Sequence, residues 1–186
     1  MSLLADPPFD EGKTSACMVL GRALYIACGF EDDCRSLAFV LKVREPQPEG
    51  QSEDEFFAAV SKAVLGRLVE LSKLIVRRAK LPEDYAAMLH AARDARNYIA
   101  HEAVGELKRL TKVPNGFSQW QSAMASKLED VAYGKIIVAV LLSRNSAELK
   151  PTQEAIEAYP RKLNSWVFES DAQLCVAADA HKAARR

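Results

Sequence analysis

Arg96, Asn97 and His101 are the residues whose types and spacing could do chemistry. They stand in Arg96-Asn97-Tyr98-Ile99-Ala100-His101, inside a helical pattern that begins near Pro82. In an ideal helix of about 3.6 residues per turn, Asn97 and His101 lie nearly over each other. Arg96 sits one residue round, at the edge of an apolar stripe of Tyr85, Met88, Leu89, Ala92 and Ile99. A guanidinium is permanently charged and grips two phosphoryl oxygens at once. An imidazole serves as base or acid near neutral pH. An amide one turn away holds a phosphate oxygen or fixes the imidazole tautomer. Together the three suit chemistry at a phosphoryl centre. The opposing reading is structural: Arg96 pairs with an acid such as Glu70, and His101 hydrogen-bonds within the core.

The hexapeptide resembles the R-x4–6-H motif of the HEPN superfamily, with Asn97 as the polar residue that often follows the arginine. The resemblance implies an all-α, antiparallel bundle of four to five helices that forms a homodimer. It also implies a metal-independent endoribonuclease without cofactor, a toxin or a defence or stress factor, with RNA as substrate and a cognate antitoxin as partner. RNA carries its own nucleophile, the 2′-hydroxyl. Cleavage needs a base for that hydroxyl, an acid for the leaving 5′-oxygen and positive charge on the phosphorane, and it leaves a 2′,3′-cyclic phosphate. One helix supplies one imidazole, so two motifs facing each other across a twofold axis would supply both. Some members extend the motif to R-x4-H-x-Y; here Ala103 takes the tyrosine's place. The rival reading keeps the bundle but drops turnover, leaving an RNA- or protein-binding or regulatory module.

Around the motif stand further candidates. Tyr98 either stacks on a base or packs in a core or interface. Lys108, Arg109 and Lys112 are either solvated charge or contacts to the RNA backbone. Arg77-Arg78-Ala79-Lys80 places cations where a helix C-terminus favours them; its sharper reading is a phosphate contact. His90 reads as structural and His181 as solvent-exposed.

Composition bounds what must position these groups. The 186 residues carry 25 Lys plus Arg against 25 Asp plus Glu, so contact with RNA would be through a local patch and not an overall field. Gly is scarce and aromatics are 8%, which favours helix. Cys17, Cys28, Cys34 and Cys175 form no C-x-x-C pair, so no metal site is expected and the thiols read as small core residues of a cytoplasmic protein. The longest apolar run, Ile136 to Leu142, is too short to span a bilayer.

The pattern predicts a loose arm over 1–13, one helical domain over 14–170 and a frayed tail over 171–186. Helix from Thr14 to Val43 is either one kinked element or two, divided near Gly29. Ser52 and Glu55 form a capping box, followed by a single helix from Phe57 to Ile75. The motif helix starts at Pro82 and loses regularity at Gly105. Ser118 and Gln121 suggest a second capping box. Ile136–Leu142 is apolar all round, hence central or covered by a second subunit. Pro151 and Pro160 bracket a short helix, and Trp166-Val167-Phe168 docks on the bundle.

Overall fold

The computed structural model of the chain describes residues 11–110, 112–145 and 150–169. These residues form helices and turns, with no strand among them. The helices are α1 Glu11–Val43, α2 Glu53–Val64, α3 Leu68–Ala79, α4 Glu83–Asn97, a π-helical turn Tyr98–Glu102, α5 Ala103–Leu110, α6 Gly116–Asn145 and α7 Gln153–Phe168. Because α4, the π turn and α5 run on as one rod, the described chain folds as six rods, one more than the largest bundle expected. Successive rods alternate in direction. The expected arm and tail, with Cys175 and His181, lie outside the described residues, except that α1 already begins at Glu11.

α1 is a single uninterrupted helix, which resolves the choice left open at Gly29. Its buried face is Ala23, Ala27, Phe30, Cys34 and Leu37, at three- and four-residue steps. α6 lies beside it in the same direction, tied by Lys135 Nζ to Asp33 and by Arg44 to Asn145. α6 contributes the fully buried Trp120, Met124, Leu128, Val131 and Val138. Gly134 lets α4 approach closely: a Cβ there would stand 2.3 Å from Ala92 Cβ. Leu89, Ala92, Ala95 and Ile99 complete this contact from the α4 rod.

Several boundaries differ from the sequence expectation, each for a local reason. The helix expected from Phe57 to Ile75 is two, broken at Leu65-Gly66-Arg67, where Gly66 weakens helix and Arg67 turns to an extended backbone. The Ser52–Glu55 capping box is present as expected. The Ser118–Gln121 box is not, because α6 already starts at Gly116 and Ser118 lies inside it. α5 runs through Gly105 to Leu110. Pro160 lies inside α7, buried, where packing outweighs the loss of one backbone donor.

Within the apolar run, Ile137, Val138 and Leu141 are buried, while Ala139 is exposed and Ile136 and Val140 are half-buried beside Ile156 of α7. α7 of the same chain therefore covers part of the face for which a central position or a second subunit was expected. Val167 is fully buried, and Trp166 lies against Tyr25 and beneath Arg22. No helix among the described residues is long and apolar enough to cross a membrane.

Candidate functional site

The motif sits on the π turn. Backbone N–H of Ala103 donates to Tyr98 O, an i→i+5 bond, and the N–H of Tyr98 is shared between Ala95 O and Asp94 O. The wider turn alters the register that an ideal helix predicts. Arg96 reaches His101 across it: Arg96 Nη1 lies 3.4 Å from His101 Nε2. A guanidinium can only donate, so this long contact uses the Nε2 lone pair. Arg96 Nη1 also donates to Asn97 Oδ1 at 3.3 Å, so the amide oxygen orients the arginine.

The acid that meets Arg96 comes from α1. Glu31 pairs with Arg96 Nη2 and also with Arg35. Glu70, the partner considered from sequence, pairs instead with Lys73 on its own helix. His101 is exposed and so does not hydrogen-bond within the core. Arg96 Nε is buried and has no hydrogen-bond partner. Arg96, Asn97 and His101 line one cleft of about 300 Å³ with Glu31, Arg67, Leu68 and Val69.

Two of these residues escaped the sequence reading. Arg67 reaches the wall because the α2–α3 break puts it at the start of α3, and its guanidinium forms no ion pair among the described residues. The signal was Gly66, which marks a break in the helical pattern. Glu31 carried no local signal, since it lies 65 positions from Arg96.

The remaining candidates do not line this cleft. Tyr98 turns its hydroxyl to Glu106, and burial, then that hydrogen bond, raises its pKa. Lys108 and Arg109 are exposed on α5, Arg109 paired with Glu106 at 3.2 Å, and Lys112 is exposed in the following turn. His90 is half-buried, with a partnerless Nδ1, and Asp94 pairs with Arg93 at 2.7 Å. No three His, Cys, Asp or Glu side chains converge as a metal site among the described residues.

Arg96 and Arg67 put two cationic residues in the lining of a cleft that His101 shares, a charge arrangement suited to an oxyanion. Glu31 opposes this by neutralising part of the Arg96 charge. No protein-family model, no curated protein and no solved structure matches the chain.

Proposed function

We propose that the protein is a HEPN-like, metal-independent endoribonuclease acting as a homodimer, in the role of a toxin or a defence or stress RNase. One observation carries the reading: Arg96, Asn97 and His101 share one cleft, with the guanidinium and imidazole in contact. In this scheme His101 Nε2 takes the proton of the substrate 2′-hydroxyl as the 2′-oxygen bonds to phosphorus. Arg96 and Arg67 carry the charge on the phosphorane oxygens. The bond from phosphorus to the 5′-oxygen breaks, and that oxygen receives a proton from His101 of a second copy. The products are a 2′,3′-cyclic phosphate and a free 5′-hydroxyl. An antitoxin that covers this cleft would be the natural regulator.

A second reading rests on the Glu31 contact. A carboxylate on Arg96 is what a structural ion pair would show, and it favours a non-catalytic RNA- or protein-binding module. A fluorescent-RNA cleavage assay in EDTA separates the two. The proposal expects cleavage by the wild type in chelator, cyclic-phosphate ends, and no cleavage by His101→Ala. An inactive, folded wild type leaves the binding module as the reading, and activity restored only by Mg²⁺ or Mn²⁺ rules out the metal-independent mechanism.

A further inference from the structure

A second basic cleft lies where α1, α3 and α6 end. Its volume is about 490 Å³, and its lining includes Arg44, Arg78 and Arg144, one from the end of each helix or just beyond, with Leu41 and Leu141 as apolar wall. Glu45 is the single acid in that lining. Three guanidiniums against one carboxylate leave an excess of positive charge that the overall zero balance of the chain conceals.

The three arginines are engaged to different degrees. Arg44 donates to the side chain and main-chain oxygen of Asn145, and so caps the end of α6. Arg78 Nη2 pairs with Glu45 Oε1 at 2.8 Å, and a guanidinium with one nitrogen so engaged has further N–H groups to offer an acceptor. Arg144 is exposed and has no ion pair or hydrogen bond among the described residues. Neutralising three helix C-termini accounts for part of this charge. It does not account for Arg144 facing an open cleft.

The cleft lies at the other end of α3 from the candidate active site. Arg67, on the wall of the Arg96–His101 cleft, is the N-cap of α3, and Arg78 stands in its last turn, eleven residues on. That is about three turns, so the two clefts are separated by roughly 16 Å along α3. We infer that the Arg44–Arg78–Arg144 cleft binds phosphoryl groups of the RNA strand whose scissile phosphate occupies the Arg96–His101 cleft. This assignment rests on the ribonuclease reading for its ligand. It adds a second anchoring point that favours substrates long enough to reach both clefts.

The test uses full-length protein and Arg144→Ala, with Arg161→Ala, an exposed cation on α7, as a control for general charge. Binding of a labelled single-stranded RNA oligomer is followed by anisotropy in a His101→Ala background, which prevents cleavage during titration. Arg144→Ala is expected to weaken oligomer binding about fivefold, the upper range for one exposed charge contact. It should also lower the salt slope by about 0.7, the release expected from one single-strand phosphate contact. Arg161→Ala should match the parent. In the active background, Arg144→Ala should leave the cleavage of a dinucleotide unchanged while slowing that of the oligomer at low substrate. Inorganic phosphate that displaces the oligomer from the parent more readily than from Arg144→Ala supports phosphoryl recognition at this cleft. Oligomer binding that is indifferent to Arg144, or equal losses in Arg144→Ala and Arg161→Ala, overturns the assignment. The two proposals fail separately. An inactive wild type whose oligomer binding depends on Arg144 sinks the catalytic reading alone, and an active nuclease indifferent to Arg144 sinks this one alone.

Discussion

Arg96 and His101 differ in what they cost the fold, and that difference makes them separable experimentally. His101 is exposed, so His101→Ala should stay within about 0.5 kcal/mol of wild type. Arg96 and Glu31 keep only 18% and 13% of their side-chain surface exposed. Arg96→Ala leaves Glu31 with Arg35 as remaining partner. The expected loss is therefore about 1–3 kcal/mol, less than the 3–5 typical of a fully orphaned buried charge. Both variants should lose cleavage by about 10²–10⁴-fold if the site is catalytic. Melting curves beside the RNA assay check this: a destabilised Arg96→Ala next to a wild type without activity would support the ion pair alone. A second prediction concerns Cys34, fully buried between α1 and α6, whose pKa is pushed from 9.0 to about 12 by burial and then by Asp33. The native thiol should resist alkylation, while exposed Cys17 and Cys28 react, as peptide mapping by mass spectrometry would read. The sign follows from linkage. A thiol whose folded pKa lies above its unfolded value contributes stability that is complete below 9.0 and is lost as the pH rises toward 12.

At the scale of elements, two features hold the motif in place. The first is the π turn, braced from below by Trp120, whose indole Nε1 donates to Ala103 O at 3.0 Å. The second is the close approach of α4 to α6 at Gly134. Gly134→Ala would improve helix propensity by about 1 kcal/mol. It would also drive a methyl to 2.3 Å from Ala92 Cβ and 2.9 Å from Phe30 Cε2. Overpacking of this kind costs about 1–3 kcal/mol, so the variant should be less stable overall. Urea unfolding midpoints decide it, and a higher midpoint for Gly134→Ala would mean that α4 and α6 do not meet as described.

For the whole molecule, one chain brings a single His101 imidazole to its cleft. The proposed mechanism needs a base and an acid at one phosphate, so it requires a second copy. Size-exclusion chromatography with light scattering should return twice the mass of one chain, and mixing His101→Ala with Arg96→Ala chains should not exceed the activity of either alone if both residues must act in each composite site. A strict monomer would remove the two-imidazole mechanism. It would leave RNA binding at the two clefts as a separate question.

The sequence alone determined what depends on neighbours within a few turns. The all-helical class follows from composition and from apolar steps of three and four. The start of α2 follows from Ser52 and Glu55, whose paired hydrogen bonds are local, and the start of the motif helix from Pro82 with Glu83 and Asp84. Tertiary structure decided what depends on contacts across the chain or on a choice between nearly equal local states. The break at Gly66 and the continuation through Gly105 involve the same residue type with opposite outcomes, so packing decided between them. The π turn adds only one residue to a helix, which periodicity over a short window does not resolve. It nevertheless lies between Arg96 and His101, whose side chains meet across it. Glu31 and Arg67 reach the cleft from other helices, and no spacing within the motif encodes a partner that arrives only when α1 and α3 pack against α4.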